Sequence, residues 1–150
     1  MSWIEENLDN IVGLREEDKK FFKKIHKTFD EEKLSCVQIE SDDDPFVEGR
    51  LYIVNHDMIM VVNENLQIHS FNGEPAEYCK EFIEFHDNGV PHRLGGPSGV
   101  YLPENEQDDF MEFYYLFGKS YKKEQYWNHP LLIDYVLKSI DEIQSEESVL

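Results

Sequence analysis

A chain of 150 residues that is 40% hydrophobic and 13% aromatic carries enough apolar side chain to build one packed domain, which argues against wholesale disorder. It contains no run of about 18 apolar residues, so no transmembrane helix is expected. Its 14 basic residues against 32 acidic ones give a net charge of −18, which disfavours nucleic acid and anionic membrane as direct partners and favours a protein with a basic surface.

Residues 1–45, 46–103 and 104–150 carry −6, −5 and −7, so the charge is spread over the chain and not held in an acidic tail. The acidic start, Met1 to Glu6, lacks the basic region of a signal peptide. Cys36 and Cys79 lie far apart without CxxC spacing and read as reduced thiols. A cytoplasmic location is expected.

Ser2-Trp3-Ile4-Glu5 has capping-box spacing, and Ile4, Leu8, Ile11 and Val12 follow at helical intervals up to Gly13. A second helix is expected from about Arg15 to Phe29. Phe21, Phe22, Ile25 and Phe29 form its apolar stripe, and Lys19, Lys20, Lys23, Lys24 and Lys27 a solvated opposite face. Residues 35–40 alternate like a strand. Asp42, Asp43 and Asp44 sit in a polar turn that lacks the alternating ligands of a calcium loop.

The runs 47–54, 58–62 and 66–71 read as strands of an antiparallel meander joined by short polar loops. Asn88-Gly89 predicts a type I′ hairpin turn, and Gly95-Gly96-Pro97 a tight corner. Pro103 to Asp109 is an acidic loop, and Phe110 to Phe117 reads as a buried strand ended by Gly118-Lys119. Ser120 is placed to cap a short helix through Trp127. Asn128-His129-Pro130 opens a last helix, with Leu132, Ile133, Val136, Leu137, Ile140 and Ile143 as its core face and residues 144–150 as its frayed end. The expected fold is α+β: an antiparallel meander of stacked hairpins over 35–118, flanked by a helical part at 1–33 and C-terminal helices at 120–144, all in a single domain.

His69-Ser-Phe-Asn-Gly73-Glu-Pro75-Ala76 and His92-Arg-Leu-Gly-Gly96-Pro97-Ser98 share an order of histidine, apolar residue, glycine, proline and small residue. Asn88-Gly89 and Phe117-Gly118 correspond as well, each after an aromatic-rich strand, as in a tandem of hairpin units. The series Asn88-Gly89-x-x-His92-Arg93-x-x-Gly96-Pro97-Ser98, followed by an aromatic strand and Gly118-Lys119, resembles a short repeat of large tailed phages and, more loosely, variant MORN repeats. The resemblance covers about residues 69–130 and departs from the pattern at Gly95 and Ser98. It implies a phage-encoded accessory protein in the host cytoplasm, without catalytic residues.

No P-loop, GxGxxG, GxSxG or HExxH motif occurs. The six histidines are scattered, so no metal centre and no cofactor are expected. His92 and Arg93 beside Gly96 could hold a phosphate, but the commoner role is to pin the turn, so Asn88, Gly89, His92, Arg93, Gly96 and Pro97 are read as structural. The function expected is non-enzymatic: binding and inhibiting or modulating a host protein that handles nucleic acid or acts in anti-phage defence. Asp42, Asp43, Asp44, Glu104, Glu106, Asp108 and Asp109 would supply the negative charges. The alternatives are a bacterial immunity protein that neutralises a toxin, a small-ligand binder or enzyme using the His92–Gly96 corner, and a structural component that self-associates.

Overall fold

The computed structural model describes residues 3–31, 37–38, 51–55 and 58–148. Asp42, Asp43, Asp44, Ser2 and Cys36 lie outside these residues. The fold is α+β, with an antiparallel meander at its centre. Trp3–Asn7 form α1, followed by a 3-10 turn at Leu8–Asn10, and Glu16–Glu31 form α2. The strands are β1 (Val37–Gln38), β2 (Leu51–Asn55), β3 (Met58–Val62), β4 (Glu77–Tyr78), β5 (Phe82–Glu84), β6 (His86–Asp87), β7 (Val90–Pro91), β8 (Gly99–Tyr101), β9 (Met111–Leu116) and β10 (Lys119–Tyr121). Lys123–Trp127 form α3 and Pro130–Ser148 form α4.

Among the described residues, eight strands make one sheet in the order β1-β2-β3-β4-β5-β8-β9-β10, while β6 and β7 form a separate hairpin between β5 and β8. All the pairings are antiparallel. Alternation decides which face is covered. Ile59, Val61, Tyr78, Ile83, Phe85 and Val100 point to one side and pack under Ile4, Leu8, Leu14, Phe22 and Ile25 from the N-terminal helices. Tyr114, Leu116, Tyr126 and Leu132 form a smaller cluster. Glu84 and Tyr101, at alternate positions, face the other way and are only half buried.

Several sequence expectations shift. Residues 66–71 make a single bridge, Ile68 to Val62, and the short β4 takes the place next to β3. Leu66 at φ 60° and the Asn63 carboxamide, which accepts from the N–H groups of Asn65 and Gln67, curl this segment into a clasp. The helical turns end at Asn10, short of Gly13, and Val12, the last residue at helical spacing, is 90% exposed. Residues 111–116 form a half-buried strand. The sheet continues past 118 because Phe117-Gly118, at φ 47° and 83°, makes a two-residue turn; Ser120 therefore lies in β10, and the helices begin at Lys123. The last helix runs to Ser148, through most of the stretch expected to fray.

The largest correction concerns α4. Leu132 is fully buried, but Ile133, Val136, Leu137 and Ile140 are each more than 40% exposed. The helix is anchored at its first turn, where the His129 carbonyl accepts from the N–H groups of Leu132 and Ile133 and the His129 ring accepts from Leu131 N–H. Among the described side chains of α4, Leu132 is the one that reaches the small aromatic cluster. In urea unfolding, Leu132→Ala is therefore expected to cost about 2–4 kcal/mol, whereas Leu137→Ser changes stability by less than about 0.5 kcal/mol.

Candidate functional site

The repeated histidines act as turn clamps. His69 Nδ1 accepts from Asn88 N–H at 3.0 Å, and His92 Nδ1 accepts from Phe117 N–H at 2.9 Å. The adjoining Gly89 and Gly118 N–H groups bond the Ile68 and Pro91 carbonyls, both at 2.8 Å. Farther along each unit, Val61 N–H bonds Ala76 O and Phe85 N–H bonds Ser98 O, both at 2.7 Å. The internal repeat is thus geometric as well as sequential, with Asn88 and Gly89 at φ 45° and 93° as a type I′ turn requires. His92 also stacks on Phe117 at 4.0 Å, and burial lowers its pKa from the ordinary imidazole value.

Arg93 closes the corner. Its guanidinium meets the Asp18 carboxylate through two contacts, at 3.1 and 3.2 Å, and also donates to Glu17 at 2.8 Å and to the Pro97 carbonyl at 3.1 Å. It lies 3.8 Å from the centre of the Phe85 ring. The Arg93 side chain is 9% exposed and that of Asp18 3%, so the pair is buried. Desolvation raises the Asp18 pKa even though the arginine opposes it. Gly96 N–H is taken by the Tyr126 hydroxyl, and a side chain on Gly96 would press against the guanidinium. Both the arginine and this backbone donor are engaged in holding the corner.

Of the acidic residues expected to bind a partner, Glu104, Glu106, Asp108 and Asp109 are all exposed on the 103–109 loop. Asn105 organises the loop by accepting from the N–H groups of Gln107 and Asp108. Glu106, Asp108 and Asp109 line a cleft of about 440 Å³ together with Trp3, Ile11 and the exposed Val12.

A second site was not legible in the sequence. On the open face of the sheet, Glu77 and Glu84 are direct cross-strand partners, and Glu84 faces Gly99 on β8. Gly99 forms part of the lining of a cavity of about 270 Å³, walled by Tyr101, Met111, Phe113 and Tyr115 and reached by Glu84 and His86. His86 Nε2 lies 3.4 Å from Glu84 and 3.8 Å from Glu77, and the Tyr101 hydroxyl donates to Glu84. Burial and the neighbouring Glu84 raise the Glu77 pKa, whereas the hydrogen bond to His86 lowers that of Glu84. The residues are brought together by the turn at 79–82, which contains no glycine, asparagine or proline to mark it. Cys79, in that turn, is a free buried thiol bonded to Glu81, and burial pushes its pKa up to about 12.

Arg93→Met leaves the Asp18 carboxylate buried and unpaired, and is expected to cost about 3–5 kcal/mol in urea unfolding. Adding Asp18→Leu should recover much of that loss. At neutral pH, His92→Phe should cost about 1 kcal/mol by removing the acceptor for Phe117 N–H. Because the folded pKa of His92 is depressed, its contribution is complete above the ordinary imidazole pKa and declines as pH falls through the folded value. The stability gap between wild type and His92→Phe should therefore narrow below about pH 6.5. No family model, curated protein or solved structure matches this chain.

Proposed function

We propose that this chain is a non-enzymatic acidic accessory protein of phage origin, which docks on a basic surface of a host protein and inhibits or modulates it. The host target is a nucleic-acid-handling or anti-phage defence factor, and the carboxylates stand where phosphates of its nucleic acid would lie. The observation that carries the reading is the 103–109 loop. It presents four exposed carboxylates, is pinned from within by Asn105, and borders a cleft containing Trp3 and the 90% exposed Val12. Fixed charge beside an apolar anchor suits protein association, because the charge steers encounter and the apolar contact slows release.

The net charge of −18 supports the same reading, as does the engagement of His92, Arg93 and Gly96 in structural bonds. Among the described residues no helix is long and apolar enough to cross a membrane. The exposed apolar residues of α4 add a second surface of the kind that proteins use for contact.

Pull-down from host extract at low salt is expected to capture a basic nucleic-acid-handling protein. Salt or competing duplex DNA should release it, and a variant carrying Glu104→Gln, Glu106→Gln, Asp108→Asn and Asp109→Asn should fail to capture it. Recovery of nothing basic at low salt would refute the proposal.

A further inference from the structure

The open face of the sheet holds a group of side chains that belongs neither to the core nor to the acidic loop. We infer that Glu77, Glu84 and His86 form a binding site for one divalent transition-metal ion of the zinc class, with a coordination position open toward the adjoining aromatic cavity.

Geometry is the first support. One donor atom from each residue lies within 4.8 Å of the others. A tetrahedral zinc ion with bonds of about 2.1 Å spaces its donors about 3.4 Å apart. The imidazole nitrogen already stands 3.4 Å from one carboxylate and 3.8 Å from the other. Small rotations of the glutamate side chains would complete the arrangement.

Charge is the second. Like charges placed directly opposite on neighbouring strands destabilise a sheet, and Glu77 and Glu84 are such a pair. Among the described residues the only basic side chain in ion-pair contact with either is His86. A cation between them would turn the repulsion into attraction.

Burial is the third. The His86 side chain is only 10% exposed and turns its Nε2 toward both carboxylates, while Nδ1, the other ring nitrogen, is buried with no hydrogen-bond partner among the described residues. The ring therefore needs no reorientation to offer Nε2 to an ion, and no hydrogen bond at Nδ1 dictates its tautomer.

The donor set selects the ion. One imidazole and two carboxylates suit zinc and its neighbours, whereas magnesium and calcium favour all-oxygen shells. The Tyr101 hydroxyl bonds Glu84 and would orient that carboxylate, as outer partners of metal ligands commonly do. Glu84 and His86 line the cavity, so a free position on the ion would meet a small ligand held among Tyr101, Phe113 and Tyr115.

Titration of the full chain with Zn²⁺ by calorimetry, and with Co²⁺ by visible absorption, tests the site. One saturable equivalent is expected. His86→Gln and Glu77→Gln should each weaken it at least about tenfold. A control carrying Glu106→Gln and Asp108→Asn should leave it unchanged. Equal affinity in wild type and His86→Gln, or the absence of a saturable equivalent, would overturn the proposal. Should the variants fail to fold, the wild-type protein still decides it by NMR. Co²⁺-shifted amide signals at Gly99 and Tyr101 before those of residues 104–109 support the site, and the reverse order sinks it.

Discussion

The buried contact between Arg93 and Asp18 is the constraint on which the rest of the architecture rests. It joins residues 75 positions apart, one on α2 and one at the corner before β8, and so fixes how the N-terminal helix lies on the sheet. A buried ion pair is weak evidence for stability in itself, since desolvation offsets much of the attraction. Its effect here is positional. Arg93 also bonds the Pro97 carbonyl, and its own carbonyl accepts from the Tyr126 hydroxyl, so one residue coordinates helix, corner and α3. His26, which donates to the Lys80 carbonyl at 2.9 Å, and Phe21, edge-on to Tyr78 at 4.9 Å, hold the same helix farther along.

Much of this was legible in the chain. The Asn88-Gly89 turn, the extent of β3, the amphipathic α2 and the paired repeat units all follow from short-range rules of turn chemistry and periodicity. What failed depended on the presence of a neighbour. The apolar side of α4 has the right spacing for burial, yet spacing does not say whether a packing layer exists to receive it. Residues 66–71 have strand composition, but the Asn63 clasp and the two-residue β4 displace them. Glu77, Glu84 and His86 become one cluster through cross-strand register, a relation among distant positions that no local pattern displays.

The two faces of the sheet divide the chemistry. Beneath α1 and α2 the interior is apolar and aromatic, and its polar members are tied off in pairs, as with Asp18 and Arg93. The opposite face combines half-buried carboxylates, a histidine and a hollow among aromatic rings. The first arrangement stabilises the fold. The second places titratable groups where a solute can reach them, with no residue of the described helices lining the hollow.

The clamp between successive hairpins makes the meander modular. Each histidine receives the N–H at the tip of the next unit, so the bond that closes one unit is supplied by its successor. Duplicating or deleting an entire unit would leave the remaining clamps matched, because each histidine meets the tip of whichever unit follows it, and the clamp tolerates spans of 19 and 25 residues. A gene encoding such a sheet can lengthen or shorten by in-frame recombination without inventing new contacts. The width of the molecule is therefore an evolvable quantity, set by copy number.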